Sequence, residues 1–280
     1  MHEKIMLAPY RVIRTRSHQA HDGTLIIQSK LGEFIFEGVS ERYWAAILKQ
    51  SRIGLECQRI AEEYEVSSDQ VYHDLLPFSF QLSEAGLLKW KSPKMKTAKV
   101  AGLGRGIYVV DDFLSSNELA QLKSAREEDY LWHPARVVSS QGMHSEQRKI
   151  RDAKALTLGK CSKLKALNRR ITIRLRRTMT DLYQISRLKN EPLNMVHYNK
   201  GGFYKPHRDC FGKDNRDRII SSVVFLNDDY IGGHLRFNSL NLEVRPRKGR
   251  LVVFPSVYLH EARELKKGEK SILVTWARFQ

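Results

Sequence analysis

The spacing of apolar and polar positions divides the chain into two textures. Near the start, Thr24-Leu25-Ile26-Ile27 and Phe34-Ile35-Phe36 are short apolar runs separated by the turn-forming Lys30-Leu31-Gly32, a pattern that predicts a β-hairpin. Behind it, apolar residues recur at helical spacing over 40–50, 55–65 and 69–84, the last with Val71, Leu75, Phe78 and Leu82 on one stripe. Ser67 and Ser68 offer oxygens to cap the unpaired N–H groups of that helix, and Gly86 suits its end. Two strands followed by three helices predict a small winged-helix-like domain over residues 1–90.

Residues 91–106, KSPKMKTAKVAGLGRG, combine Lys, Pro and Gly with few large apolar side chains and read as a linker. A domain over 107–280 then begins with a β-like run at 107–110 and a helix over 116–129, whose Ser115-x-x-Glu118 start has the form of a capping box. A longer helix is expected over 162–185. Leu164, Leu167, Ile171, Leu175, Met179 and Leu182 form its apolar stripe, and Lys165, Arg169, Arg170, Arg174, Arg176 and Arg177 a solvated polar face. From residue 193 the texture changes to short apolar runs broken by Gly, Asp, Asn and Pro: 193–198, 203–209, 219–226, 234–238, 242–245, 251–254, 257–262 and 270–279. So many short strands in about ninety residues predict a barrel or jelly roll. The fold class is therefore α+β.

Composition refines this picture. A chain of 280 residues with 41% apolar content has length and substance for two cores. No apolar run approaches the roughly 18 residues that cross a bilayer, and the N-terminus lacks the apolar region of a secretion signal, so the expectation is a cytoplasmic protein with no membrane partner. Cys57, Cys161 and Cys210 are odd in number and widely spaced, which fits reduced thiols rather than a disulfide framework or a metal-binding Cys-x-x-Cys. The net charge of +17 is unevenly placed: residues 1–92 hold 11 Lys and Arg against 12 Asp and Glu, so the excess lies entirely in the second domain.

Candidate chemistry centres on Tyr198-Asn-Lys-Gly-Gly-Phe-Tyr204-Lys-Pro-His207-Arg-Asp209. On a strand, residues i and i+2 share a face, so His207 and Asp209 can reach one point. An imidazole beside a carboxylate suits iron(II), and His260, after the apolar run Leu251-Val252-Val253-Phe254, completes a two-histidine, one-carboxylate set with open coordination positions. A His-x-Asp alone is a common chance pair. The last strand adds weight: Lys270, Ile272, Val274 and Trp276 alternate with Ser271, Leu273, Thr275 and Ala277, which puts Lys270 on an apolar face. Burying an unpaired ammonium costs several kcal/mol, so Lys270 requires a nearby anion. Lys266 and Lys267, in the preceding turn, need none.

These residues resemble the prolyl 4-hydroxylase-like family of iron(II) and 2-oxoglutarate dependent oxygenases. Its pattern is matched by Tyr198, Gly201, Tyr204, Pro206, His207, Asp209, His260 and Lys270, with Trp276 six residues on and Gly232-Gly233-His234-Leu235-Arg236-Phe237 similar to a further family element. The resemblance implies a double-stranded β-helix, a metal held by His207, Asp209 and His260, and 2-oxoglutarate bound by Lys270, Tyr198 and Trp276. It also implies oxygen as oxidant and ascorbate as a reductant. Asp209, where a small residue would admit a halide, favours hydroxylation over halogenation.

The first domain resembles the PqqD-like peptide-recognition family over residues 18–90. The resemblance is carried by Thr24-Leu25-Ile26-Ile27, Gly38-Val39-Ser40, the helix beginning Leu55-Glu-Cys-Gln-Arg-Ile60 and the terminal Phe80-Gln-Leu-Ser-Glu-Ala-Gly86. Such domains add a leader peptide to an exposed sheet edge. The combined expectation is an oxygenase that hydroxylates a side chain in the core of a ribosomally made precursor peptide, its leader held by the first domain and the substrate acidic to suit the basic second domain. The alternative is an oxygenase acting on a nucleic acid or ribosomal protein, with the first domain structural. A winged helix that binds DNA should be basic, and this one is not. A non-catalytic jelly roll would have no need of the intact ligand set.

Overall fold

The computed structural model describes residues 10–13, 15–20, 24–29, 32–49, 53–90, 100–123, 132–138, 144–185, 187–210 and 215–280. They divide into two compact units: Met1–Pro93 with Gly104–Gly106 and Leu182–Ile185, and Lys94–Leu103, Ile107–Asp181 and Ser186–Gln280.

In the first unit the predicted hairpin is the strand pair Leu25–Ser29 and Gly32–Phe36, with Leu25 opposite Phe36, and Arg16–Gln19 adds a third antiparallel strand. Strand alternation sends Ile27 and Phe36 into the core and leaves Ile35 63% exposed. The helices are Val39–Leu48, Ile53–Glu63 and Ser68–Glu84. Their buried faces supply Trp44, Ile47, Cys57, Ile60, Leu75 and Phe80, and Trp44 stacks on Phe36 with ring centroids 5.6 Å apart. Ser67 Oγ accepts the Gln70 N–H at 3.1 Å, the expected cap. A further ladder, Tyr10–Val12 with Leu88–Trp90, escaped the sequence reading because its strands are three residues long and alternate with Arg11 and Lys89.

The second unit is built on two sheets. In the nine-stranded sheet the central neighbours run Ile107–Val110, Leu251–Pro255, Arg218–Phe225, Lys270–Phe279, Asn194–Tyr198 and Lys154–Thr157. The five-stranded sheet runs Arg151–Asp152, Phe203–His207, His260–Ala262, Leu235–Phe237 and Leu242–Val244. Each of the eight short runs expected after residue 193 contains a strand. Lys165–Tyr183 is the long helix, entered through a 3-10 turn at Ser162–Leu164, with Leu164, Leu167, Ile171, Leu175, Met179 and Leu182 all buried. Its Arg174 bonds Glu118, which also accepts the Ser115 N–H at 3.0 Å, so the capping box is formed.

Two boundaries differ from expectation. Of the linker expected over 91–106, residues 91–99 lie outside the described residues, and Val100–Gly104 is a strand of the larger sheet. Its glycines read as a spacer, but the turn at Arg105 and Gly106, both with positive φ, folds it back onto Ile107–Val110. The helix expected over 116–129 is Ser116–Lys123, and 124–130 lie outside the described residues. No described helix is long and apolar enough to cross a membrane.

Candidate active site

The two histidines are cross-strand partners. Phe203–His207 pairs antiparallel with His260–Ala262 so that His207 lies opposite His260. Asp209 follows two residues after His207, its own N–H bonded to the Ser256 carbonyl at 3.0 Å. His207 Nε2 stands 3.4 Å from Asp209 Oδ1, and His260 Nε2 stands 3.4 Å from Oδ2. Donor atoms of the three residues all lie within 4.8 Å of one another.

The surrounding bonds set the form of each ligand. His207 Nδ1 is 2.8 Å from the Lys205 carbonyl and His260 Nδ1 is 2.9 Å from that of Tyr258. Each carbonyl accepts the Nδ1–H, which turns Nε2 toward Asp209 and a shared metal position. Burial pushes the His260 imidazole down to about 4, outweighing the pull of Asp209, so the ring is neutral. Burial acts the opposite way on the Asp209 carboxyl, but His260, His207 and the Ser221 hydroxyl together hold it well below the usual carboxylate range. Ser221 donates to Asp209 Oδ2 at 2.6 Å and lies 2.9 Å from Ser256 Oγ. Tyr204 stacks on His207 with centroids 3.5 Å apart, and Phe254 meets His260 edge-on at 4.6 Å. A carboxylate and two imidazoles, locked in orientation, fit a divalent iron.

Lys270 is 2% exposed and lies opposite Tyr198 in the register of the larger sheet. Its ammonium donates to the Gly233 carbonyl at 2.5 Å and sits 4.9 Å from the Tyr198 ring. No carboxylate pairs with it among the described residues, and burial pushes it down to about 7. Gly233 has φ 63°, and a Cβ there would come within 3.1 Å of Lys270 Cδ and 3.4 Å of Tyr230 Cε2. The Tyr230 hydroxyl is buried without a hydrogen-bond partner. Tyr198 accepts a hydrogen bond from Arg151, and burial pushes its phenol up, which keeps its own proton available to donate. A buried cation lacking an anion, an orphaned hydroxyl and a phenol donor fit a small dicarboxylate such as 2-oxoglutarate.

His207, Asp209, His260, Tyr198 and Lys270 line one cavity of about 680 Å³, walled by Val196, Leu235, Ile272 and Val274. Trp276 lines the same cavity. It stands six positions along the strand from Lys270, roughly 20 Å of backbone, and its ring lies 3.8 Å from the Arg218 guanidinium. Sequence reasoning missed Ser221 and Arg151, which meet the site only through pairing with distant strands, and Tyr230, which neighbours Gly233 just before the short strand Ile231–Gly232.

Residues 193–278 match the family described as the 2OG-Fe(II) oxygenase superfamily. A PKHD-type hydroxylase of Prochlorococcus marinus (strain MIT 9215) is 35% identical over 81 residues, 28% of this chain and 37% of that protein. Prolyl 4-hydroxylase 1 of Arabidopsis thaliana is 26% identical over 204 residues, 61% of this chain and 68% of that protein. The chain thus spans little more than a third of the length of the first of these relatives. Among solved structures, a Pseudomonas putida prolyl-4-hydroxylase superposes with a TM-score of 0.50 at 24% identity, covering 62% of this chain and 93% of its own. A Trichoplax adhaerens prolyl hydroxylase, in complex with a hypoxia inducible factor oxygen degradation domain peptide fragment, also reaches 0.50, at 18% identity, covering 62% of this chain and 84% of its own. These two likenesses establish the fold, a double-stranded β-helix. Iron(II), 2-oxoglutarate and oxygen are the reactants of the matched family, and the ligand set fits them. Residues 193–278, which carry the His207, Asp209, His260 set and Lys270, are therefore the part of the chain that matches the 2OG-Fe(II) oxygenase superfamily.

Proposed function

We infer that the chain is an iron(II) and 2-oxoglutarate dependent dioxygenase that hydroxylates a side chain of a peptide or protein. The observation that carries this reading is the union, in one cavity, of a His207, Asp209, His260 ligand set with a buried Lys270 that lacks an anion. Bound iron(II) and 2-oxoglutarate supply the redox chemistry of oxygen activation, which side chains alone do not. The chain's residues ligate, orient and exclude water. Asp209 and the two imidazoles would hold the metal, Lys270 and Tyr198 would bind the dicarboxylate, and the apolar wall would keep competing water out.

The substrate we assign is a ribosomally made precursor peptide, its leader held by the first unit. Supporting it are the resemblance of residues 18–90 to PqqD-like domains and the Gly32–Phe36 strand, which pairs on one side only among the described residues and carries the exposed Ile35. A leader that adds there as a strand would gain backbone bonds for affinity and side-chain pockets for specificity. Mass spectrometry of a precursor peptide co-expressed with the wild type and with His207→Ala tests this reading. A gain of one oxygen with the wild type alone supports it, and no gain with active enzyme sinks it.

A second reading has its own observation. Lys165, Arg169, Arg170, Arg176 and Arg177 are exposed on the Lys165–Tyr183 helix, a face that suits a nucleic acid or a ribosomal protein. Steeply salt-dependent RNA binding that persists without residues 1–92 would favour it.

A further inference from the structure

Of the arginines that line the cavity, Arg151 and Arg218 come from opposite sheets, and their surroundings differ. Arg218, in the larger sheet, gives Nε and Nη2 to the two carboxylate oxygens of Glu191 at 2.6 and 2.7 Å and stacks on Trp276. Its charge is neutralised. Arg151 lies at the edge of the smaller sheet, opposite Tyr204 in register, with its guanidinium carbon 4.6 Å from the centre of the Tyr204 ring. That ring is the one stacked on His207, so the guanidinium is one aromatic layer from a metal ligand. Its hydrogen bonds go to the Arg136 carbonyl, at 3.2 Å, and to the Tyr198 hydroxyl, both uncharged. Its Nε is buried with no partner, and no carboxylate pairs with Arg151 among the described residues.

A guanidinium with donors to spare recognises a carboxylate by paired N–H bonds. Two carboxylates could come to it: the keto-acid end of 2-oxoglutarate, or an acidic side chain of the substrate. Exposure favours the second. Lys270 is 2% exposed, suited to a small diacid that diffuses in, whereas Arg151 is half-exposed beside the exposed Arg136, within reach of a side chain of a larger molecule.

We propose that Arg151 is a specificity-determining residue that binds the carboxylate of an aspartate or glutamate presented to the metal centre, so that the residue oxidised is acidic. This rests on the dioxygenase reading above. In the balanced reaction one oxygen atom of dioxygen enters a C–H bond of the acidic side chain to give C–OH. The other enters 2-oxoglutarate, which loses carbon dioxide and leaves as succinate. Two electrons come from the C–H bond and two from the keto acid.

The test uses the full chain with iron(II) and 2-oxoglutarate, offered peptide pools with Asp or Glu fixed at the centre and matched pools with Asn, Gln or Pro. Mass gain of one oxygen, succinate release and 2-oxoglutarate affinity are read for the wild type, Arg151→Gln and Arg151→Lys. The expected result is that the acidic pools are oxidised about ten- to a hundredfold better than the amide pools, the span of one charge-assisted hydrogen-bonded pair. Arg151→Gln should erase that preference, and Arg151→Lys should keep part of it. Equal oxidation of neutral pools, or oxidation of none, overturns the proposal. Weakened 2-oxoglutarate binding in Arg151→Gln with the acidic preference intact also overturns it, by assigning the guanidinium to the cosubstrate. Absence of succinate under every condition, by contrast, would strike the dioxygenase reading itself.

Discussion

Binding of 2-oxoglutarate should take up a proton at Lys270. Free of the ligand, the ammonium has only the Gly233 carbonyl and the aromatic faces of Tyr198 and Phe225 around it, and burial pushes it from 10.5 down to about 7. At pH 8 about nine in ten molecules then hold Lys270 neutral. A carboxylate brought to Nζ favours the charged form, so binding at that pH draws in about 0.9 proton, and affinity weakens about tenfold for each pH unit above 7. Titration calorimetry of the iron-loaded protein without oxygen, in buffers of different ionisation enthalpy, measures the proton count directly. The same shift acts on folding with a defined sign. Because the folded-state value is lowered, the unfolded chain binds more protons between about 7 and 10.5, so the ligand-free protein gains up to about 1.4 kcal/mol per pH unit as pH rises through that window. Zero proton uptake, together with an affinity that stays flat from about pH 7 to 9, would refute the placement of the diacid at Lys270.

Three further outcomes are expected. Ser221→Ala removes the hydroxyl that holds Asp209 Oδ2 and should cut metal affinity by about 10–100-fold in a chelator competition, with the fold intact by circular dichroism. Gly233→Ala places a methyl 3.1 Å from Lys270 Cδ at a backbone with φ 63°; it should lower stability by about 1–3 kcal/mol in urea melts and raise the Kd of 2-oxoglutarate. Glu118→Ala breaks both the capping box and the bond to Arg174, and should cost about 1–2 kcal/mol of stability while leaving 2-oxoglutarate affinity unchanged.

The parts of the site that were legible in the sequence share one property: their geometry follows from local chain direction. His207 and Asp209 are two residues apart, and the alternation of Lys270, Ile272 and Val274 on one strand face is a property of that strand alone. Trp276 continues that alternation into the same cavity, its ring against the Arg218 guanidinium. Ser221, Tyr230 and Arg151 gave no local signal. Arg151 sits in a two-residue strand after Glu146-Gln-Arg-Lys149, a charged stretch that reads as a loop, and reaches the cavity only because it pairs with Tyr204 more than fifty residues on. Long helices were found where their apolar stripes are long, while Val100–Gly104, Tyr10–Val12 and Leu88–Trp90 were too short or too glycine-rich to stand out from loops.

The metal ligands and the dicarboxylate anchor belong to different sheets. His207 and His260 stand on five- and three-residue strands of the smaller one, whereas Lys270 heads a ten-residue strand inside the larger one. Ligands held at both ends therefore act as a non-covalent crosslink across the sandwich, and the half of the fold with the shortest strands gains most from it. Amide exchange should slow first in Phe203–His207 and His260–Ala262 when metal and diacid are both present, so that this protein's cofactors are also part of what keeps its smaller sheet closed.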